Sequence, residues 1–327
     1  MGMLVDGVWR DDDEALVDED GRLQRPSSVF RNWVTADGAP GPTGDGGFRA
    51  EPGRYHLYIA RACPWAHRAA IFRELKGLQD MIGLSVTHWL MAENGWTFAD
   101  GPGVIPDTIE GADTVWQLYV KADPTYTGRV TVPVLWDTQT SRVVSNESAD
   151  IIRMFNSAFD AVGAADGDFY PEALRGEIDA VNDRVYDGLN NGVYKAGFAK
   201  RQAAYDEAVA GVFDPLDWLE ARLSAHEYLV GDTLTEADWR LFTTLLRFDA
   251  VYHGHFKCNR RRIVDYPALW TYTRRLYAHP AVAPTVDMDH IKRHYYQSHR
   301  HINPTGIVPE GPALDFSLDS DAPSGAR

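Results

Sequence analysis

Cys63 and the residues around it have the types and spacing for thiol chemistry. A run of apolar and aromatic residues at 55–59 is followed by Cys63, Pro64 and a helical pattern. Because proline suits the first position of a helix, we expect Cys63 to be the N-cap residue. Free N–H groups and the helix dipole at this end favour a thiolate and lower the pKa of a cysteine. The sequence therefore predicts a reactive thiol, against the alternative of a buried and inert cysteine.

The sequence gives Cys63 no second sulfur nearby. The position three residues after it is Ala66, so a redox pair of the C-x-x-C type is excluded. The other cysteine, Cys258, is distant in sequence, and we interpret it as a spectator thiol. A catalytic Cys63 must therefore find its partner sulfur elsewhere.

Length and charge limit the classes of partner. The chain has 327 residues, enough for two domains with a large core. Its net charge of -15 argues against nucleic acid and anionic membrane surfaces as partners. The sequence has no apolar run of membrane-spanning length and no signal-peptide pattern, and two cysteines are too few for a secreted disulfide scaffold. We therefore expect a cytoplasmic protein.

The order of strand and helix patterns predicts two domains, α/β and then all-α. Residues 1–50 are acidic and rich in Gly, Pro and Ser, which indicates an irregular N-terminal arm. Residues 51–165 read strand–helix–strand–loop–strand–strand–helix, a thioredoxin-like order, with an insertion loop at 91–128. Residues 166–302 show only helical patterns, and residues 303–327 have the composition of a loosely held tail.

Two features of the thioredoxin-like part suit a small acidic ligand. Pro133 interrupts a strand pattern, which is expected only at an edge, a bulge or a cis turn. Glu147 and Ser148 precede a helical run whose first turn offers N–H groups and a hydroxyl. Such a helix start is a natural seat for a carboxylate group.

Histidines near the C-terminus include a pair at helical spacing, His290 and His294, followed by His299 and His301. Two such histidines on one helix face can bind a metal ion. No carboxylate or thiolate stands at ligand spacing beside them, so we expect no metal site.

The motifs of the chain, taken together, resemble those of the cytosolic glutathione transferases. Shared features are a proline inside the third strand, an S-N-E-S turn before a helix, and a helical half with a capping box at Thr235 and Asp238. The runs CPWAHR, NGWTF, GRVTVPVLWD, SNESADI, NNGVYKAGFA and IKRHYYQSH look like those of the glutathionyl-hydroquinone reductases, or Xi class. This resemblance extends to about residue 305. It implies a homodimeric enzyme that reduces glutathionyl-hydroquinones with glutathione as co-substrate.

The resemblance also implies a role for individual residues. Cys63 would attack the sulfur of the glutathionyl-hydroquinone, and Tyr194 would donate a proton to the ring carbon. Tyr252 and Tyr295 would help to hold the thiolate, and His253 would line the hydroquinone pocket with the three tyrosines. The residues that it assigns to glutathione binding are Trp96, Arg129, Val130, Thr131, Val132, Pro133, Glu147 and Ser148.

Other functions of the same fold remain alternatives. An omega-like thiol transferase, acting on dehydroascorbate or mixed disulfides, would share Cys63 but lack the tyrosine motif around Tyr194. A non-catalytic module with this fold would bind glutathione without forming an adduct. A conjugating transferase is disfavoured, because a cysteine tends to capture glutathione as a disulfide where a serine or tyrosine would activate it.

Overall fold

The computed structural model describes residues 2–11 and 17–318 of the chain. These residues form two compact units. The first unit contains 2–11, 24–169 and 287–307, and the second contains 17–23, 170–286 and 308–318. The expected C-terminal tail falls partly on residues 319–327, which lie outside the described residues.

The strands of the described residues lie in the first unit. Their bounds are β1 Met3–Val5, β2 Val8–Arg10, β3 Trp33–Thr35, β4 Gly47–Arg49, β5 Tyr55–Ile59, β6 Ile82–Val86, β7 Gly128–Arg129, β8 Val134–Asp137 and β9 Arg142–Ser145. The helices have the bounds α1 Pro64–Leu75, α2 Val115–Ala122, α3 Ser148–Ser157, α4 Arg175–Val185, α5 Gly192–Phe198, α6 Gln202–Leu223, α7 Glu236–Arg247, α8 Pro267–Tyr277 and α9 Met288–Ser298.

A four-stranded sheet in the order β6, β5, β8, β9 is the core of the first unit. Strand β5 runs parallel to β6 and antiparallel to β8, so it is paired on both edges. All five of its residues are buried, which explains why it reads as a continuous apolar and aromatic run. The connection β5, α1, β6 followed by β8, β9, α3 is the predicted thioredoxin-like order.

The arm at 1–50 contains short strands, whereas the sequence predicted it to be irregular. Strands β1 and β2 form a hairpin whose first strand also pairs with β7, and β3 pairs in parallel with β4. Each of these strands has only three residues, too few to show an alternating pattern in the sequence. Main-chain pairing therefore organises this segment more than its composition indicates.

The insertion at 91–128 is likewise not all loop, because it contains α2. The side chain of Gln117 accepts a hydrogen bond from the Thr114 N–H at 3.0 Å, as the capping-box motif requires. Val115, Leu118 and Tyr119 are buried along one face. Thr114 and Gln117 were the local signals that could have predicted this helix.

The second unit contains α4 to α8. Helix α7 begins with the capping box predicted for Thr235 and Asp238, whose carboxylate accepts the Thr235 N–H at 2.8 Å. Two π-helical turns, at Tyr186–Asn190 and Phe248–Tyr252, precede α5 and follow α7. π-Helical turns inside helical segments are frequent at functional sites.

Helix α9 packs with the first unit, although the sequence grouped it with the helical half. His294 Nδ1 lies 2.9 Å from the Trp89 carbonyl oxygen, and the Trp89 indole N–H donates to Gln297 at 3.2 Å. Contacts of this kind join elements that are far apart in sequence, so chain order alone does not reveal them. None of the helices in the described ranges is long and apolar enough to cross a membrane.

Candidate active site

Cys63 lies at the junction of β5 and α1, as predicted. It is the N-cap residue with Pro64 at the first helical position, and it is half-buried. The Ala66 N–H donates to its Sγ atom at 3.5 Å. A donor of this kind, together with the helix dipole, stabilises a thiolate relative to a thiol.

The loop before β8 runs beside this sulfur. The Val132 carbonyl oxygen lies 3.5 Å from Cys63 Sγ. The Val132–Pro133 peptide bond is cis. In the described residues, no partner within hydrogen-bond distance faces the Val132 N–H. A backbone amide is therefore available for strand-like pairing next to the thiol.

The start of α3 is the segment predicted to bind a carboxylate group of the ligand. Glu147 is its N-cap residue and accepts the Ala149 N–H at 3.1 Å, while Ser28 Oγ donates to the same carboxylate at 2.8 Å. Ser148 is buried and accepts a hydrogen bond from Arg68 Nη1 at 3.5 Å. Because Arg68 belongs to α1, this contact links the helix of the thiol with the helix that begins at Ser148.

Arg129 is on β7, next to the N-terminal hairpin. Its Nη1 atom donates to the Gly2 carbonyl at 3.2 Å, and its own carbonyl accepts from Tyr126 Oη at 3.0 Å. Val130 and Thr131 follow in the loop that leads to Val132. The predicted glutathione-binding residues 129–133 thus form one continuous segment from the last residue of β7 to the residue before β8.

Trp96 is buried in the insertion and stacks on His294 of α9, with ring centroids 4.8 Å apart. The neighbouring His290 Nε2 lies 2.6 Å from the Pro102 carbonyl oxygen. Both histidines therefore bind backbone carbonyls of the segment 89–102 and attach it to α9. Tyr295 is also on α9, buried, with its ring edge-on to His294 at 5.2 Å.

The other predicted residues lie in the second unit. Tyr194 on α5 and Tyr252 at the end of a π-helical turn have ring centroids 5.9 Å apart. Phe256 stacks on Tyr252 at 5.5 Å and meets Tyr194 edge-on at 5.4 Å. His253 follows Tyr252 and is half-buried. The structure therefore brings Tyr194 and Tyr252 together in one aromatic cluster of the second unit, and His253 is the residue next to Tyr252 in the chain.

Cys258 has the environment of an unreactive thiol. It is fully buried, and burial raises the pKa of the Cys258 thiol to about 12. The nucleophilic thiolate would dominate only at a pH above this pKa. The Cys258 thiol therefore stays protonated at neutral pH.

Sequence reasoning missed two residues that organise this region. One is Arg68, whose guanidinium reaches Ser148 and lies 4.6 Å from the Trp65 ring centre. Tyr119 was not singled out, although its phenol bonds to both Thr131 and Asn146. The capping signal of α2 could have located Tyr119 on a helix, but no local signal predicts the partners of a buried phenol.

Comparisons with known proteins identify the family of the chain. The N-terminal domain family of glutathione S-transferases matches residues 62–158, and the C-terminal domain family matches residues 202–275. The glutathionyl-hydroquinone reductase YqjG of Escherichia coli is 58% identical over 97% of each chain. Its glutathione-bound structure superposes with a TM-score of 0.90, covering 98% of this chain and 99% of that one at 56% identity.

Two further relatives place the chain more narrowly. The glutathionyl-hydroquinone reductase PcpF of Sphingobium chlorophenolicum is 57% identical over 96% of this chain and 97% of its own. The Xi-class transferase of Natrialba magadii is 47% identical, with a TM-score of 0.88 over 97% of this chain and 94% of that one. The chain therefore belongs to the Xi class of glutathione transferases, the family of the glutathionyl-hydroquinone reductases.

Proposed function

We propose that this protein reduces glutathionyl-hydroquinones to hydroquinones, with glutathione as the co-substrate and oxidised glutathione as the second product. Membership of the Xi class supports the reaction. The helix-capping cysteine supports a thiol mechanism, because a thiolate attacks sulfur far better than a thiol does.

In the first step, the Cys63 thiolate attacks the sulfur of the glutathionyl-hydroquinone. A sulfur–sulfur bond forms and the carbon–sulfur bond breaks, so its electron pair goes to the ring carbon. Tyr194 protonates that carbon, which releases the hydroquinone and leaves a mixed disulfide between Cys63 and glutathione. Tyr252 and Tyr295 stabilise the thiolate before attack, and His253 contributes to the hydroquinone pocket.

In the second step, the thiolate of a free glutathione attacks the glutathionyl sulfur of the mixed disulfide. Oxidised glutathione leaves, and Cys63 returns as a thiolate. In the first step the ring carbon of the glutathionyl-hydroquinone gains two electrons. The sulfur atoms of Cys63 and of the glutathionyl group lose them as they become a disulfide. The thiol proton of the free glutathione replaces the proton that Tyr194 gave to the ring.

The single observation that supports this function most strongly is the distance of 3.5 Å between Cys63 Sγ and the Val132 carbonyl oxygen. A glutathionyl group whose cysteine backbone pairs with Val132 would carry its own sulfur beside the nucleophile. The Val132 backbone would thus position a bound peptide for attack by the Cys63 thiolate. An inert buried cysteine would not require such an arrangement.

Most of the remaining proposed contacts pair a charged group of glutathione with a group of opposite charge or with N–H donors. The first-turn N–H groups of α3 and the Ser148 hydroxyl receive the γ-glutamyl carboxylate, and the Glu147 carboxylate receives its ammonium group. Arg129 faces the other carboxylate, and Trp96 covers the peptide together with the backbone of Val130 and Thr131. An acidic tripeptide thereby finds opposite charges at both ends.

The test is to incubate the purified protein with glutathionyl-menadiol and glutathione, and to follow menadiol release and intact protein mass. We expect turnover by the wild type, and a mass increase of one glutathionyl group when free glutathione is withheld. Cys63→Ser should show neither. Cys258→Ala is the matched control, since it also removes one thiol and should behave like the wild type.

Three outcomes would contradict the proposal. Turnover of mixed disulfides without any cleavage of the thioether would favour an omega-like thiol transferase. Glutathione binding without an adduct on either protein would favour a non-catalytic module. Continued carbon–sulfur cleavage by Cys63→Ser would remove the nucleophile from the mechanism.

The proposal extends to assembly and location. The active form is a homodimer in the cytoplasm, where reduced glutathione is plentiful enough to resolve the mixed disulfide. Sedimentation velocity checks the assembly, and a mass of one chain at micromolar concentration would contradict it.

A further inference from the structure

Tyr119 occupies a central position among the segments proposed to bind glutathione. Its side chain is fully buried on α2. The phenol oxygen donates to the Thr131 carbonyl at 2.9 Å and accepts from the Thr131 N–H at 3.2 Å. It also accepts from Asn146 Nδ2 at 3.0 Å. Thr131 Oγ1 lies a further 3.3 Å from the phenol oxygen.

Each partner of Tyr119 directly precedes a proposed ligand contact. Thr131 precedes Val132, whose carbonyl lies 3.5 Å from Cys63 Sγ. Asn146 precedes Glu147, the N-cap residue of α3. A single phenol therefore connects the backbone beside the nucleophile with the seat at the start of α3.

Regular pairing does not make this connection. The ladder between β8 and β9 ends at the pair Leu135 and Ser145, with an irregularity at Leu135 and Trp136. Thr131 and Asn146 lie beyond this end, where the two segments have left the strands. The Tyr119 phenol thus bridges the segments after the sheet has stopped holding them together.

We propose that Tyr119 is a positioning residue for glutathione: it sets the spacing between the Val132 backbone and the first turn of α3. This inference rests on the proposed function, because glutathione is the ligand whose two ends those segments receive. The affinity for the peptide depends on the correct spacing of the Val132 backbone and the first turn of α3. If the spacing is wrong, polar groups of the bound ligand are left without hydrogen-bond partners.

The test is Tyr119→Phe, which keeps the ring and removes the hydrogen bonds of the phenol oxygen. We expect the Kd of glutathione, measured by isothermal titration calorimetry, to rise about tenfold. The KM for glutathione should rise in parallel. The alkylation rate of Cys63 by iodoacetamide should change far less than the Kd, because the Ala66 N–H that stabilises the thiolate belongs to α1 and stays in place.

Tyr272→Phe is the matched control. Tyr272 is equally buried, and its hydroxyl donates to Asp238 at 2.8 Å inside the second unit. Removing it costs a buried hydrogen bond of the same kind without touching the glutathione segments. A loss of affinity in Tyr272→Phe equal to that in Tyr119→Phe would mean that the effect is general destabilisation, and would overturn the inference.

Asn146→Ala provides a second route to the same measurement if Tyr119→Phe does not fold. Where both variants fold, their effects on Kd should combine to less than the product of the two separate effects, because both changes break the hydrogen bond between Tyr119 and Asn146. Fully multiplicative effects would overturn the inference, as would an unchanged Kd in Tyr119→Phe while the wild type binds glutathione and turns over the thioether. A wild type that binds no glutathione would overturn the proposed function as well.

Discussion

The state of the Cys63 sulfur depends on two opposing neighbours. The Ala66 N–H, 3.5 Å away, stabilises negative charge on Sγ. The Val132 carbonyl, also 3.5 Å away, can accept a hydrogen bond only from the protonated thiol. A peptide ligand that pairs with the Val132 backbone would compete with this second contact. Ligand binding and thiolate formation are therefore expected to favour each other.

The role of Tyr194 leads to the first residue-scale prediction. Protonation of carbon is needed only when a carbon–sulfur bond breaks, so Tyr194→Phe should lower kcat for glutathionyl-menadiol by about a hundredfold. Reduction of a small glutathione mixed disulfide should remain close to the wild-type rate, since its leaving group is a sulfur. Steady-state kinetics with both substrates measure the difference.

Tyr205→Phe is the control for that comparison. Tyr205 lies in the same unit, and its hydroxyl donates to the Lys257 carbonyl at 2.7 Å on the surface. Both reactions should proceed normally in this variant. An equal loss of both reactions in Tyr194→Phe would contradict its assignment as the proton donor.

His56 leads to a prediction about acid stability. Its Nε2–H donates to Ser85 Oγ at 2.8 Å, because the Ser85 hydroxyl itself donates to the Pro106 carbonyl at 3.0 Å. Burial, opposed by Asp107 and assisted by Arg73, lowers the pKa of His56 from 6.5 to about 4. The imidazole of His56 thus stays neutral in the folded protein between pH 6.5 and about 4, whereas in the unfolded chain it takes up a proton below pH 6.5.

The sign of the effect follows from this difference. The contribution of His56 is fully present above pH 6.5 and is lost as the pH falls from 6.5 towards 4, by about 3 kcal/mol in total. We expect His56→Gln, which keeps a donor for Ser85 but does not titrate, to lose less stability across this window. Urea unfolding of the wild type and of His56→Gln at pH 7, 6 and 5 measures how the free energy of unfolding of each protein changes with pH. An equal change in both proteins would contradict the prediction.

At the scale of elements, the N-terminal hairpin supports the strand that carries Arg129. Strand β1 pairs with β7, and the Gly2 carbonyl accepts from Arg129 Nη1 at 3.2 Å. Trp9 of β2 stacks on Trp116 at 6.1 Å, and its indole N–H donates to the Glu93 carbonyl at 2.8 Å. The hairpin therefore contacts β7 and two parts of the insertion.

Deleting residues 2–10 should weaken glutathione binding without abolishing it. The deletion leaves one edge of β7 unpaired and removes one anchor of the Arg129 guanidinium, so we expect the Kd to rise about fivefold to tenfold. Calorimetric titration measures the change. The control is Val8→Ser, a change at an exposed position of β2 that should leave the Kd as it is. An unaltered Kd after the deletion would show that β7 holds Arg129 without the hairpin.

The elements that the sequence predicted are those with local signals. Pro64 marks the start of α1, Thr235 and Asp238 mark the start of α7, and Glu147 marks the start of α3, and all three are confirmed. The thioredoxin-like and helical fold is also confirmed by the two matching domain families. The residues that form such a signal lie within a few positions of each other, so a short stretch of sequence is enough to predict the element.

The features that the sequence did not predict depend on contacts between distant segments. Strand β1 lies between β2 and β7 and pairs with both. Helix α9 joins the first unit because its histidines contact the carbonyls of Trp89 and Pro102. The hydrogen bonds of Tyr119 span gaps of 12 and 27 residues. The type of a residue does not specify such partners.

At the scale of the whole molecule, the proposed glutathione contacts are unevenly distributed. Cys63, Trp96, the segment 129–133, Glu147 and Ser148 all belong to the first unit. A ligand held by these groups should slow local opening of the backbone there more than in α6 and α8, which carry none of these groups. Hydrogen exchange reports such local differences, because amides open independently over short times.

We therefore expect glutathione to slow amide exchange in peptides covering residues 63–66, 130–133 and 146–149 at short labelling times, as followed by mass spectrometry. Peptides from α6 and α8 should exchange as they do without ligand. The tripeptide Ala-Ala-Gly, which lacks the γ-glutamyl group and the thiol, should protect neither set. Protection confined to α6 and α8 would place the ligand in the second unit and contradict the proposed seats. Uniform slowing at short times would mean that glutathione acts on global opening, because binding then stabilises the folded state as a whole.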